Sequence, residues 1–296
     1  TLRGDPSLSK CTEVPPGSLP IQIESFRRPD RVVSGVETKR EENLFRELYR
    51  PIKTRMVVTD INSAEIIKHA SNSFLATKIS FANALSQVCD RVGADILKVS
   101  EGMGLDKRIG RNFLNAGIGY GGSCFPKDVD AFIRLSEKSG YPFDLLKAVR
   151  RVNEDQRQAF VRLVEDKLWL LKDKVIGVLG LAFKPETDDM RNAPSLDIIA
   201  ALQKEGARIR AYDPQAMDSA RKLLKKVTYC PDVYALARGC DCLLLLTEWD
   251  EFKKMDFKKI KAGMRQAMIF DGRNFFSQED LAAQGFEYFG IGRGGC

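Results

Sequence analysis

The sequence has no apolar run of membrane-spanning length and no signal-peptide pattern at its start, so a spanning helix is not expected and the reading is cytoplasmic. It also lacks a disulfide framework. Its seven cysteines (Cys11, Cys89, Cys124, Cys230, Cys240, Cys242 and Cys296) are odd in number and scattered, as in a reducing compartment. Cys240-x-Cys242 has neither the two-residue spacer nor a second pair, so no metal is expected. No recognised nucleic-acid motif is present. The 47 Lys and Arg outnumber the 40 Asp and Glu, for a net charge of +7. Basic residues are nevertheless interspersed with acids, as between Lys253 and Lys261. That reads first as solvated helix faces, then as sites for small anions, and last as nucleic-acid binding.

A complete dinucleotide fingerprint is missing too. Gly117-x-Gly119-x-x-Gly122 and Gly290-x-Gly292-x-x-Gly295 satisfy the string literally. The first follows Phe113-Leu114-Asn115-Ala116 instead of a long buried strand, and the second has no helix after it. Without the strand–turn–helix context the glycines carry no such meaning.

A chain of 296 residues with 44% apolar and 29% charged residues is globular and long enough for two cores. Residues 1–28 show little periodicity. Arg31 to Val33 reads as a short strand and Glu41 to Tyr49 as a short helix. Asn62 or Ser63 can cap a long helix ending near Gly93, and a second helix from Asp95 to Glu101 stops at Gly102. Helices at 127–138 and 143–171 follow, so residues 59–171 form an all-helical unit by period. At Lys174 the period changes. Val175–Gly180, Arg208–Tyr212, Val227–Cys230, Cys242–Leu246, Ala267–Phe270 and 286–290 read as strands alternating with helices. Near-continuous apolar strands of this kind mean a parallel sheet covered on both faces. Residues 172–296 are thus a doubly wound, Rossmann-like α/β domain. Its ligands should lie beyond the strand carboxyl ends, in the loops after Gly180, Tyr212, Leu246 and Phe270.

Within the helical unit lies Gly117-Ile-Gly-Tyr-Gly-Gly-Ser-Cys-Phe-Pro-Lys-Asp128. The glycines allow close approach of the backbone to another group, such as a sugar. Pro126 and Asp128 suit the first turn of a helix, which puts Cys124 where a glycine loop meets a helix N-terminus. That dipole and the Lys127 ammonium favour thiolate over thiol, the setting of a nucleophile. A buried structural cysteine beside a tight turn is the plain alternative. Lys68 and Asn72, four apart, share a helix face. Alone they read as solvated; beside a reactive thiol they could steady an oxyanion. Lys184 and Arg191, in the loop Lys184 to Asn192, and Arg273, after Asp271-Gly272, sit at strand ends where phosphates bind or where charged loops simply face water.

The glycine–cysteine stretch resembles the active-cysteine motif of the UDP-glucose/GDP-mannose dehydrogenase family. Four further stretches agree with that family in order and spacing: Pro29 to Val33, Lys68-His-Ala-Ser-Asn72-Ser-Phe-Leu-Ala76, Phe183-Lys-Pro-Glu-Thr-Asp-Asp-Met-Arg191, and Phe270-Asp-Gly-Arg273. The resemblance implies NAD-dependent, four-electron oxidation of a sugar C6 alcohol to a carboxylate. Cys124 would attack the C6 aldehyde, and hydrolysis of a thioester would release the product. Lys68 and Asn72 would steady the oxyanion, and Asp128 would position the water or act as base. Arg108 (from a partner subunit), Phe113, Leu114, Asn115, Ala116, Gly117, Gly121, Lys184 and Arg273 match substrate-binding positions. Lys127 and Arg191 match cofactor contacts. The helical unit corresponds to a homodimerisation core. Ser123 before the cysteine, Phe113-Leu114-x-Ala116-Gly117 and Cys124-Phe125-Pro126 favour UDP-glucose over GDP-mannose. Residues 1–58 correspond to a remnant of the family's N-terminal NAD-binding domain. Lys10 to Ser18 resembles a late segment of that domain, which would put Thr12 at a catalytic threonine. Two readings stay open: a nucleotide-sugar dehydrogenase, or a catalytically silent UDP-sugar-binding and oligomerisation module. A thiol acyltransferase is a distant third.

Overall fold

The computed structural model describes residues 28–294. Cys11, Thr12, Gly295 and Cys296 lie outside them. The chain opens with a parallel pair, β1 (Arg31–Gly35) and β2 (Arg55–Thr59), joined by helix α1 (Lys39–Leu48). Thr38 and Glu41 form a capping box at the start of α1, which satisfies two orphan amides reciprocally. β2 is a correction to the sequence reading, which left Arg55–Thr59 unassigned. Val57 and Ile61 flank an acid-capped turn, and the strand is legible only through its pairing with β1.

Four helices follow: α2 (Ile61–Val92), α3 (Ile96–Leu105), α4 (Phe125–Lys138) and α5 (Asp144–Leu168). Asp60, instead of Asn62 or Ser63, caps α2, its carboxylate accepting from the Ser63 amide at 2.9 Å. Gly93, at φ 73°, ends it in the left-handed conformation, as a helix C-terminus favours. α3 runs through Gly102 and Gly104 to Leu105. An isolated glycine costs only about 1 kcal/mol in a helix, and Gly104 lets Arg111 pack against the helix backbone, where a Cβ would stand 2.9 Å from the Arg111 Cα.

The remaining chain builds one sheet from β3 (Val175–Leu179), β4 (Arg208–Tyr212), β5 (Val227–Tyr229), β6 (Cys242–Leu245), β7 (Met268–Asp271) and β8 (Glu287–Gly290). Helices α6 (Pro194–Lys204), α7 (Met217–Leu223), α8 (Val233–Ala237), α9 (Phe257–Gly263) and α10 (Gln278–Ala283) alternate with the strands. All strands are parallel in the order β5-β4-β3-β6-β7-β8. The order reverses between β3 and β6, which opens a crevice at their carboxyl ends. β3, β6 and β7 are almost wholly buried, which explains their unbroken apolar runs.

The two units share one core. Ala82 and Cys89 from α2, Phe160 and Val164 from α5, and Ile176, Val178 and Phe270 from the sheet belong to a single apolar cluster. Ile118 of the glycine loop is fully buried in it. The loop is therefore anchored to both units before any ligand is considered.

Candidate active site

The glycine loop is stitched down along its length. Gly117 N–H donates to Asn83 Oδ1 at 2.9 Å and Ile118 N–H to the Gly272 carbonyl at 2.9 Å. Tyr120 N–H donates to Asn153 Oδ1 at 2.8 Å, and Asn153 Nδ2 returns a bond to the Tyr120 carbonyl at 3.1 Å. Gly122 N–H donates to the Arg191 carbonyl at 2.8 Å, and Asn192 Nδ2 donates to the Gly122 carbonyl at 3.1 Å. The glycines serve these approaches. A Cβ on Gly122, whose φ is 80°, would lie 2.7 Å from the Phe183 ring, and one on Gly117 would lie 2.9 Å from the Gly272 oxygen. All four glycines are buried; Gly117, Gly121 and Gly122 admit the sheet domain and Gly119 admits Asn153 of α5, while Gly119 and Gly121 also line the cleft between the loop and the sheet's switch point.

Cys124 stands at the end of this loop, exposed and free, as the N-cap residue of α4. Its Sγ lies 3.8 Å from Ser123 Oγ. Cys89, Cys230, Cys240 and Cys242 are free as well but buried. Burial pushes the Cys240 thiol up to about 12 and Cys242 well above its ordinary range, so both stay protonated and inert. One turn into α4 the Asp128 amide donates to the Cys124 carbonyl at 2.9 Å. The Asp128 side chain turns inward and is 1% exposed. Asn72 Nδ2 donates to its Oδ2 at 2.5 Å. Lys127 Nζ and His69 Nδ1 stand 3.9 and 3.8 Å from its Oδ1.

Two clefts flank this helix end. One, about 690 Å³, lies between the glycine loop and the sheet's switch point. Phe113, Tyr120 and Phe125 form an aromatic wall, with Phe125 edge-on to both other rings at centroid distances of 6.3 and 5.7 Å. Lys184 after β3, Glu248 after β6 and Arg273 after β7 face that wall. Three of the four strand-end loops expected to carry ligand thus converge. The fourth is used internally: Asp213, after β4, accepts the amides of Leu181, Ala182, Gln215 and Ala216 and the indole N–H of Trp249. Arg273 is held by the Leu246 and Gly119 carbonyls at 2.9 and 3.0 Å and by Glu248 at 3.3 Å. Its Nη2 is buried with no hydrogen-bond partner. A donor left in that state at a cleft wall suits a ligand oxygen, because an unmade bond there costs about 1–3 kcal/mol. The other cleft, about 610 Å³, lies between β1 and α2 and is lined by Arg31, Glu65, Lys68, Ser71 and Asn72 among others.

Of the expected site residues, Phe113, Asn115, Gly121, Lys184 and Arg273 line the larger cleft. Leu114, Ala116 and Gly117 are buried beneath it in the core. Arg108 is not among the lining residues; it is exposed and paired with Asp106 at 2.6 Å. Lys68 and Asn72 line the second cleft, and Asn72 reaches Asp128. Arg191 is half-exposed with its guanidinium forked onto Asp189. Sequence reasoning passed over Arg111 and Glu248, which line the larger cleft, and His69, which packs against Asp128. His69 carried a signal, being the sole histidine of the chain and lying inside the Lys68–Ala76 stretch.

Residues 62–155 match the UDP-glucose/GDP-mannose dehydrogenase family, central domain, and residues 177–278 match the UDP binding domain of the same family. The chain is 48% identical to UDP-glucose 6-dehydrogenase TuaD of Bacillus subtilis over 272 residues, 92% of this chain and 59% of the relative. It is 44% identical over 282 residues to a UDP-glucose 6-dehydrogenase of Pseudomonas aeruginosa, covering 92% of this chain and 62% of the relative. A UDP-glucose dehydrogenase structure from Pyrobaculum islandicum superposes with a TM-score of 0.84 at 39% identity, over 91% of this chain and 60% of that one. The chain spans about 60% of the length of these relatives. With the central domain and the UDP binding domain of one family both matched along it, the chain belongs to the UDP-glucose/GDP-mannose dehydrogenase family.

Proposed function

We propose that this chain is the nucleophile-bearing and sugar-nucleotide-binding part of a UDP-glucose 6-dehydrogenase. That enzyme would oxidise C6 of UDP-glucose to the carboxylate of UDP-glucuronate in the cytoplasm. The observation that carries the reading is the cleft of about 690 Å³ lined by Lys184, Glu248, Arg273 and Phe125, the residue that follows Cys124 in the chain. Its volume falls within the ~300–1,000 Å³ of ordinary ligand sites. Its aromatic wall suits a uracil ring, Lys184 and Arg273 suit a pyrophosphate, and the Glu248 carboxylate suits sugar hydroxyls. Cys124, exposed at the helix end, would add to the C6 aldehyde. The carbon–sulfur bond forms as the carbonyl oxygen becomes an oxyanion, which the Lys68 ammonium and the Asn72 amide would steady. In the closing step water adds to the thioester carbon, its proton passes to Asp128, and the carbon–sulfur bond breaks to return the thiol.

The oxidation also removes two hydrides, which the family's usual acceptor, NAD, takes when bound. The described residues do not by themselves fit that cofactor. β1-α1-β2 has the parallel crossover of a dinucleotide-binding unit, yet its turn reads Val36-Glu37-Thr38 with no glycine pair to cradle a pyrophosphate. Lys127 and Arg191, set beside Asp128 and Asp189, do not replace such a cradle. This favours a second reading, a UDP-sugar-binding module without turnover of its own. Calorimetric titration with UDP-glucose, using GDP-mannose as competitor, tests the binding common to both readings. NADH formation from UDP-glucose then separates them. Binding of neither sugar nucleotide sinks both.

The partner would be a second copy. Phe74, Phe81 and Val88 are spaced seven apart on α2 and are 65%, 55% and 51% exposed. A heptad stripe of this kind on a 32-residue helix is a pairing seam. Sedimentation of a Phe81→Glu variant checks it: a monomer where the parent is a dimer supports the seam.

A further inference from the structure

Asp128 is satisfied on one side only. Its Oδ2 takes the Asn72 amide, while its Oδ1, with the Lys127 ammonium 3.9 Å away, is buried with no hydrogen-bond partner among the described residues. Across from Oδ1 stands Nδ1 of His69, 3.8 Å away and itself buried without a hydrogen-bond partner. His69 and Asn72 are three residues apart on α2 and so present one face to α4. Two orphaned groups, a potential donor and an acceptor, thus lie about 0.6 Å beyond hydrogen-bond range, a gap that a small side-chain rotation closes. A buried polar atom left this way in a native fold calls for an explanation, and a role in chemistry is one that two such atoms facing each other support.

We infer that His69 is a positioning residue for Asp128, its imidazole closing on Oδ1 as Asn72 holds Oδ2, so that the carboxylate meets the hydrolytic water at a fixed angle. The inference rests on the reading of Asp128 as the group that receives the water proton. With neutral His69, Nδ1–H donates to Oδ1 and Asp128 is free to accept that proton. When His69 takes a second proton, the imidazolium beside Asp128 stabilises the carboxylate and makes it a poorer base. The charged groups around the ring are Glu65 and Lys68 on α2, and Lys127 and Asp128 on α4. The ring of Phe132, at 6.2 Å, walls the other side. Burial pushes the His69 pKa down, Asp128 opposes this, and the net direction is below the ordinary value.

His69 is the sole histidine, so its imidazole gives one unambiguous proton signal. Nuclear magnetic resonance titration of the wild-type chain and of Asp128→Asn tests the coupling. The expected result is a midpoint below the ordinary histidine value in the wild type and a further downward shift in Asp128→Asn, where the supporting carboxylate charge is gone. Equal midpoints in the two proteins overturn the inference. Should Asp128→Asn fail to fold, the Asp128 carboxyl carbon signal in the wild type decides: an inflection at the His69 midpoint supports the pair, and a flat trace overturns it. In turnover, His69→Gln should lower kcat about tenfold, less than the ~10²–10⁴ of a lost general base, at unchanged KM, and should remove from the acid limb the component that follows the His69 midpoint. Coupled titration without UDP-glucose oxidation defeats the dehydrogenase reading and leaves the pair intact. Oxidation with uncoupled titration does the reverse.

Discussion

The sheet and the helical unit each bury carboxylates, and they treat them differently. In the sheet domain, Asp271 at the end of β7 is fully buried and accepts the amides of Arg273, Phe275 and Phe276 and the Tyr288 hydroxyl, at 2.8 to 3.1 Å. Asp213 holds five donors in the same manner. In the helical unit, Asp128 is equally buried but, among the described residues, has one side-chain hydrogen bond, to Oδ2, while Oδ1 has only Lys127 and His69 at 3.9 and 3.8 Å. Saturated carboxylates tie loops to strand ends. A half-satisfied one retains capacity for a proton or a water, as a reacting group must. On the proposed reading of Asp128 as the group that receives the water proton, the difference separates the scaffold acids from the reacting one.

The comparison can be broken most forcefully by removing a saturated member. Asp271→Ala leaves four donors without an acceptor, and at about 1–3 kcal/mol for each group left unmade a loss of at least about 3 kcal/mol is expected in urea unfolding. Asp128→Asn is the counterpart. It keeps the shape and an acceptor for Asn72, so stability should change by less than about 1 kcal/mol. UDP-glucose oxidation should fall about 10²-fold or more, as for loss of a general base. A large stability loss in Asp128→Asn with undiminished turnover would make Asp128 another structural acid.

A smaller effect tests how the loop is held between the two regions. Gly122→Ala places a Cβ at φ 80° against the Phe183 ring, which should cost about 1–3 kcal/mol in stability. It should also weaken UDP-glucose binding by calorimetry, because Phe183 lines the cleft beside Lys184. A neutral Gly122→Ala would mean that the loop is free to move off the sheet.

Much of this was legible in the sequence for reasons that are local. The buried strands β3, β6 and β7 announce themselves as apolar runs because both faces are covered. Cys124 announces itself through the glycines before it and the proline after it. β2 and the continuation of α3 past Gly102 were not legible, since one depends on a partner strand and the other on Arg111 packing over Gly104. The two-cleft layout was hidden too. Lys68 and Lys184 look alike as isolated cations, and only the fold puts one against β1 and the other at the sheet's switch point. The packing partners of the glycines were not legible for a related reason. Close approach can be inferred from composition, but the approaching group, here Asn153, Phe183 and Gly272, comes from far along the chain.

The smallest expected effect sharpens the comparison at its narrowest point, the titration of His69 beside the half-satisfied Asp128. Burial lowers the His69 pKa in the folded chain below its ordinary 6.5, with Asp128 only partly opposing. Between the folded value and 6.5 the unfolded chain binds more protons than the native one, so stability rises with pH there. The contribution is fully present above pH 6.5 and is lost as pH falls through the folded value. His69→Gln has no such proton to take up. Urea midpoints measured at about pH 5 and about pH 7.5 should therefore differ more for the wild type than for His69→Gln, with the wild type weaker at the acid end. Acid changes common to both proteins, from exposed carboxylates, cancel in that difference. Asp271 gives a counterpart of opposite sign: burial raises its pKa and the Tyr288 hydroxyl helps hold it down, so Tyr288→Phe should lower the midpoint more at about pH 7.5 than at about pH 5. Acid weakening of the wild type that persisted unchanged in His69→Gln would place the titrating group elsewhere and erase the distinction between the two kinds of buried acid.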